Sequence, residues 1–269
     1  MTTSTSSFLS DADGTRVVTY TWSDVDDQPA GVVQIAHGLA EHGERYDRFA
    51  HALNTAGFVV HAVDHRGHGR TANGRLGDFG AAGFGGLIAD VVQFGAALRA
   101  RHGGLPLFLF GHSMGSFAAQ AALLDHAAPW AGVVLSGSTA LDAFAAAMAN
   151  APADAPAGLE AFNAGFEHRT GYEWLSRDPA EVDAYVANPW CGWDVPEAVI
   201  PMLFAPAARL AVSSIWAWRA CSSARCRSRS TPPRASTRGW RAWSAWTDRP
   251  RGLASPSLLE LARVSRAAP

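Results

Sequence analysis

The chain has 269 residues, of which 48% are hydrophobic, and a formal charge of −2. This supplies enough apolar material for one sizeable core, and the near-neutral charge argues against a nucleic-acid partner. The total conceals an asymmetry, because positions 1–204 carry 10 Arg and 22 acidic residues whereas positions 205–269 carry 12 Arg and two acidic residues.

Strand and helix patterns alternate along the first half of the chain. Positions 16–22 alternate in polarity and predict an early antiparallel strand, and continuous apolar runs farther along predict buried parallel strands. Apolar residues at helical spacing separate these runs. Buried strands are predicted at 31–36, 58–63, 105–110 and 131–135, and helices at 45–55, 84–101 and 114–126. The alternation predicts an α/β fold, a doubly wound, mostly parallel sheet with helices on both faces.

The rhythm breaks over positions 139–200, which are rich in Ala and Pro and contain no buried-strand run. We interpret 139–204 as a helical cap inserted into a core that spans 1–138, and such a cap would line an apolar substrate pocket. The alternative is an ordinary set of surface helices.

A nucleophile elbow is predicted where the apolar strand LPLFLF ends. Gly111, His112, Ser113, Met114 and Gly115 form the pattern G-x-S-x-G, and an Ala-rich helix follows directly. The tight turn requires small residues on both sides and lifts the serine hydroxyl out at the carboxyl edge of the sheet. Ser113 is therefore the candidate catalytic nucleophile.

A second loop is predicted to supply a backbone N–H donor for the carbonyl oxygen of the substrate. His37 and Gly38 directly follow the strand GVVQIA. Acyl transfer builds negative charge on the carbonyl oxygen, which backbone N–H groups must meet. One donor is the residue after the nucleophile, Met114, and the other is expected from this earlier loop, at Leu39.

A third loop, 64–70, contains His65, Arg66 and His68. We expect no metal there, because no further ligand spacing accompanies the two histidines. Arg66 is expected to brace the loops beneath the site. Cys221 and Cys226 lack a second ligand pair and predict no zinc site either.

Three segments together carry a family resemblance: HGLAEHGERYDRFAHAL, DHRGHGRTANG and GHSMGS. In this order and spacing they resemble the monoglyceride lipases and lysophospholipases of the serine-aminopeptidase-like (S33) α/β-hydrolase superfamily. The stretch from Tyr172 to Trp193 resembles the cap of that family. The resemblance implies Ser113 as nucleophile, Leu39 and Met114 as oxyanion donors, and a cap that admits one acyl chain.

The resemblance stops near residue 205. In this superfamily an acidic residue and then a histidine follow the serine along the chain, but all ten histidines here lie at or before His168. Positions 205–269 form an aberrant tail rich in Arg, Trp and Ser, so we expect the last part of the fold to be missing or disordered. A shift of reading frame near residue 210, a natural basic tail that binds anionic partners, and a rearranged active site that uses His37 are the three interpretations.

The predicted function is hydrolysis of carboxylic esters of small lipids, such as a monoacylglycerol or lysophospholipid, through an acyl-enzyme on Ser113. Activity should be poor, because neither the acid nor the histidine of the triad is found and a serine hydroxyl needs an adjacent base. The alternative is a non-catalytic lipid-binding or interaction protein on the same scaffold. We expect no cofactor, no metal, peripheral membrane contact through the cap, and a cytoplasmic location. The location is inferred from the odd cysteine count and the lack of a signal or spanning segment.

Overall fold

A computed structural model describes residues 3–25, 28–150, 158–163 and 165–212. Within these ranges six strands form one sheet, in the order β1-β2-β4-β3-β5-β6. The strands are β1 Thr3–Leu9, β2 Arg16–Trp22, β3 Gly31–Ala36, β4 Phe58–Val63, β5 Leu107–His112 and β6 Gly132–Ser136.

The sheet is parallel at its centre and antiparallel at one side. β3 pairs in parallel with β4 and β5, and β5 pairs in parallel with β6. β1 and β2 pair antiparallel, as do β2 and β4. Every residue of β3 is buried, which explains why its sequence is an almost unbroken apolar run.

Helices connect the parallel strands and cover the two faces of the sheet. They are α1 Asp47–Thr55, α2 Gly83–Arg101, α3 Met114–Asp125, α4 Leu141–Ala149, α5 Pro179–Ala187, α6 Val199–Leu203 and α7 Ala207–Val212. Three 3-10 helices occupy Gly43–Tyr46, Gly158–Asn163 and Glu173–Leu175. None of the helices in the described ranges is long and apolar enough to cross a membrane.

Two hydrophobic clusters lie on opposite sides of the sheet. The larger one includes Leu87 of α2 and Ala118 of α3, and the smaller one includes Ala50 of α1. The predicted doubly wound α/β fold is therefore confirmed, and the crossovers that join β3, β4, β5 and β6 contain the helices expected of parallel pairing.

The segment predicted as a cap begins and ends in the larger cluster. Leu141 in α4 and Val199 and Leu203 in α6 belong to that cluster, while Val182 and Tyr185 in α5 are buried outside it. The division into a core at 1–138, a cap at 139–204 and a tail at 205–269 stays a prediction. Of the tail, only 205–212 lies within the described residues.

One strand was not predicted. β1 has the sequence TSTSSFL, and five of its seven residues are exposed. It lacks the apolar alternation of a half-buried strand, and pairing along its whole length with β2 forms it instead.

Candidate active site

Ser113 lies at the turn between β5 and α3, the position that the elbow pattern predicts. Its backbone has φ +49° and ψ −117°. A non-glycine residue in this region is strained and persists only where the surroundings enforce it. The Ser113 N–H donates to the carbonyl of Ser136 at 3.0 Å, and the Ser113 carbonyl accepts from the Ser116 hydroxyl at 2.6 Å.

Close backbone packing requires the two glycines of the elbow. A Cβ on Gly115 would overlap the carbonyl oxygen of Ala36, which ends the neighbouring strand. A Cβ on Gly111 would lie 2.7 Å from the carbonyl oxygen of Gly115. Glycine at both positions therefore lets α3 leave the sheet directly against β3 and its loop.

The loop after β3 meets the elbow at Gly38. A Cβ on Gly38 would lie 3.3 Å from Ser113 Cβ and 2.8 Å from an oxygen of Glu41. Leu39 follows Gly38 on this loop, and Met114 is the first residue of α3. The fold thus brings together the two segments whose N–H groups are predicted to receive the substrate carbonyl oxygen.

Glu41 braces this loop from inside. Its carboxylate accepts hydrogen bonds from the Gly38 N–H at 2.5 Å and from the Tyr46 hydroxyl at 2.8 Å, and it pairs with Arg45. Burial, followed by the nearby Glu41 charge, raises the pKa of Tyr46 well above its ordinary value, so its hydroxyl stays a donor. Glu41 was not predicted as a site residue, although it lies three residues after Gly38.

Three histidines form a fully buried cluster below the loop. The ring of His37 lies 4.3 Å from the ring of His65 and 5.1 Å from the ring of His68, centroid to centroid. Burial lowers the pKa of His37 and His65 well below the ordinary value and that of His68 to about 4. All three rings are therefore neutral at pH 7.

These rings do not serve Ser113. His37 Nδ1 lies 2.7 Å from the Gly38 carbonyl, and its Nε2 accepts from the His65 N–H at 2.9 Å. Backbone groups thus occupy both nitrogens of His37. His112 points to Ser136, with 3.3 Å between its Nδ1 and the Ser136 hydroxyl. Across the described ranges, no histidine nitrogen forms a hydrogen bond with the Ser113 hydroxyl.

Arg66 has the structural role predicted for it. Its guanidinium is buried and binds both oxygens of Asp90, at 2.9 and 3.1 Å. It also donates to Asp13 at 2.7 Å and to Ser10 at 3.1 Å. Asp90 belongs to α2, and Ser10 and Asp13 follow β1, so one side chain joins three segments of the fold.

In the part of the chain that the structure describes, no group of three or more His, Cys, Asp or Glu side chains is arranged to hold an ion. The three clustered rings contact one another as aromatic faces and edges. Cys221 and Cys226 lie outside the described residues.

The sequence profile of one protein family covers most of this chain. The profile, described as "Serine aminopeptidase, S33", matches residues 27–211, which include the elbow, the loop after β3 and the segment up to α7. The chain belongs to the serine aminopeptidase S33 family. This agrees with the α/β-hydrolase architecture inferred from the motifs.

Relatives of this S33 chain are named as lipases and esterases. A monoacylglycerol lipase of Mycolicibacterium smegmatis is 33% identical over 192 residues, or 65% of this chain and 61% of its own. The human monoglyceride lipase is 33% identical over 129 residues, or 47% of this chain and 41% of its own. The chain thus spans about three fifths of the mycobacterial relative and two fifths of the human one.

Solved structures agree on the fold. A thermostable carboxyl esterase from Bacillus coagulans superposes with a TM-score of 0.65 at 28% identity, covering 81% of this chain and 76% of its own. A structure described as an open-form lipase gives a TM-score of 0.61 at 28% identity, covering 78% of this chain and 73% of its own.

Proposed function

We propose that this S33-family chain is a serine hydrolase that cleaves carboxylic esters of small lipids through an acyl-enzyme on Ser113. The single observation that carries the proposal is the placement of Ser113, in a strained strand-to-helix turn against Gly38. Relatives named as monoacylglycerol and monoglyceride lipases support a monoacylglycerol as substrate, with a lysophospholipid as the alternative ester.

In the proposed reaction the Ser113 oxygen adds to the acyl carbon of the ester while a base takes the hydroxyl proton. The carbonyl electron pair moves onto oxygen, and the N–H groups of Leu39 and Met114 receive that charge. Collapse breaks the ester bond, and the departing alcohol takes up a proton. Water then attacks the acyl-enzyme, releasing the fatty acid and restoring the serine.

Among the described residues, no side chain is placed to act as the base that accepts the Ser113 proton. No histidine nitrogen in the described ranges is bonded to the Ser113 hydroxyl, and both nitrogens of His37 are engaged by the backbone. Loss of a triad member leaves about 10³–10⁴-fold catalysis over water, from the oxyanion hole and substrate binding. We therefore propose slow turnover for this chain.

The lack of a base beside Ser113 among the described residues favours a second candidate function, a lipid-binding protein without catalysis. A fluorophosphonate probe on the full chain separates the two, with Ser113→Ala as the test variant and the exposed Ser6→Ala as the matched control. We expect slow labelling and slow p-nitrophenyl butyrate hydrolysis, both lost in Ser113→Ala and kept in Ser6→Ala. No labelling, together with saturable displacement of a fluorescent fatty acid by monoacylglycerol, would establish the binder.

We also propose the division into a core at 1–138, a cap at 139–204 and a tail at 205–269, with peripheral membrane contact through the cap. Phe162 and Phe166, in the segment proposed as the cap, are 47% and 50% exposed, which supports peripheral contact with a lipid surface. Binding to phosphatidylcholine vesicles that weakens in Phe162→Ser with Phe166→Ser would support it. We propose a cytoplasmic location, because the odd number of cysteines suits a reducing compartment.

For the tail, we propose a shift of reading frame near residue 210. A chain without Lys that is rich in Ala, Arg and Gly implies GC-rich codons, which out of frame encode Arg, Ser, Pro, Trp and Cys. The coding sequence around codons 200–215, translated in all three frames, tests this. Another frame that encodes an acidic loop and a later histidine is the expected result. Two frames without either would favour a natural basic tail.

A further inference from the structure

The carbonyl oxygen of Ala40 is held by two donors from a distant segment. The Tyr185 hydroxyl donates to it at 2.8 Å, and the Gly192 N–H donates to it at 3.0 Å. Tyr185 is in α5 and lies 145 positions farther along the chain than Ala40. The segment that contains α5 and Gly192 thus binds the loop after β3 through two hydrogen bonds.

The backbone conformation of Ala40 explains why these hydrogen bonds are needed. It is fully buried and has φ +53°, in the left-handed region that residues with a Cβ rarely adopt. A conformation of this kind persists when the surroundings over-determine it. The two hydrogen bonds to its carbonyl are contacts that fix this peptide.

The two anchors of the loop bracket Leu39. On one side, the Gly38 N–H is fixed by the carboxylate of Glu41. On the other side, the Ala40 carbonyl is fixed by Tyr185 and Gly192. The N–H of Leu39, the proposed oxyanion donor, lies between these two fixed groups and shares a peptide plane with the Gly38 carbonyl, which His37 Nδ1 contacts at 2.7 Å, so its direction depends on all three contacts.

Tyr185 is itself rigidly placed. Its ring packs at a tilted angle against the ring of Tyr172, 5.1 Å between centroids, and lies under the Arg45 guanidinium at 4.9 Å. Gly192 fits closely beside it, since a Cβ there would lie 3.0 Å from the Tyr185 ring. Burial, which dominates, raises the pKa of Tyr185, so the hydroxyl keeps its proton and remains a donor.

We propose that Tyr185 is a positioning residue for the oxyanion hole, acting through the carbonyl of Ala40. The inference rests on the proposed function for its catalytic consequence. It ties the shape of the loop that receives the substrate carbonyl oxygen to a helix of the segment proposed as the cap. The hydroxyl group, and not the ring alone, is the essential part.

The test compares Tyr185→Phe with Tyr20→Phe in the full chain. Tyr20 is also fully buried, and its hydroxyl donates to Asp64 at the same 2.8 Å distance instead of to Ala40. Each variant loses one buried hydroxyl and keeps its ring. The first measurement is amide hydrogen exchange over residues 38–41, and the second is kcat and KM for p-nitrophenyl butyrate, corrected for the Ser113→Ala background.

We expect faster exchange at 38–41 in Tyr185→Phe than in Tyr20→Phe at matched global stability. We also expect kcat to fall about tenfold at an unchanged KM, less than the roughly 10²–10³-fold loss for deleting an oxyanion donor. Unchanged exchange in Tyr185→Phe, or an effect confined to KM, would overturn the inference. If the wild-type chain shows no Ser113-dependent turnover, the proposed function fails, and the exchange measurement alone decides whether Tyr185 positions the loop.

Discussion

The carboxylate of Glu41 binds the backbone N–H of Gly38, the residue whose Cα lies against the side chain of Ser113. A side chain three positions away thus ties down the loop at its contact with the nucleophile elbow. The same carboxylate binds Arg45 and Tyr46, which lie in the 3-10 helix directly before α1. Loop geometry and the first helix therefore depend on one buried group.

Replacing Glu41 should lower the free energy of unfolding by an amount that depends on whether the new side chain keeps an acceptor oxygen. Glu41→Ala leaves the Gly38 N–H and the Tyr46 hydroxyl without an acceptor and Arg45 without its partner. We expect a loss of about 3 kcal/mol in the free energy of unfolding, measured in urea. Glu41→Gln keeps an acceptor oxygen and should lose about half as much. Equal losses in the two variants would show that the charge, and not the hydrogen-bond acceptor, is what the loop requires.

Alanine at Gly115 should disrupt the elbow, because its Cβ would overlap the Ala36 carbonyl oxygen. We expect a loss of about 3 kcal/mol in unfolding free energy. The matched control is Gly85→Ala in α2, since Gly85 is also helical but has nothing within 4 Å of its added Cβ. The control should gain up to about 1 kcal/mol from helix propensity. A Gly115→Ala chain as stable as the wild type would contradict the packing described here.

The buried histidines should make the chain sensitive to mild acid. Burial lowers the pKa of His37, His65 and His68 in the folded state, to about 4 for His68. Between the unfolded value of about 6.5 and these lower values, the unfolded state binds more protons, so stability falls as pH falls. The loss is about 1.4 kcal/mol per pH unit for each such group. Above about pH 6.5 the three rings contribute no pH dependence.

His65→Leu tests this directly, because neither ring nitrogen of His65 has a hydrogen-bond partner among the residues that the structure describes. Urea unfolding from pH 7 to pH 4 should show a shallower decline than in the wild type. His126→Leu is the control, since the imidazole of His126 is exposed to water. An identical pH slope in wild type and His65→Leu would rule out a contribution from that ring.

Arg66 should be among the most sensitive positions outside the site. Arg66→Met would leave Asp90, a buried carboxyl group whose pKa burial already raises, without its cationic partner. We expect a loss of about 3–5 kcal/mol by thermal or urea unfolding. The double variant Arg66→Met with Asp90→Asn should recover part of that loss, because the uncompensated charge is gone. Additive losses in the double variant would mean that the two side chains stabilise the fold independently.

Much of the core could be predicted from local pattern. The continuous apolar runs of β3, β4 and β5 identify buried parallel strands, and the helix pattern between them requires crossovers. G-x-S-x-G between a strand and a helix also places Ser113 in its turn, because the steric demand of that turn lies within five consecutive residues. β1 escaped prediction because its polar sequence is shaped by pairing with β2 rather than by burial.

By itself, then, the sequence determined the order of strands β2 to β6 and helices α1 to α3, the elbow at Ser113 and the loop that follows β3, since each leaves a local pattern in the chain. Only the tertiary structure decided what holds that loop. The Ala40 carbonyl meets Tyr185 from 145 positions away, and backbone groups of Gly38 and His65 engage both ring nitrogens of His37. Hydrogen bonds are short-ranged and directional, so partners distant in sequence are set only when packing has brought their segments together.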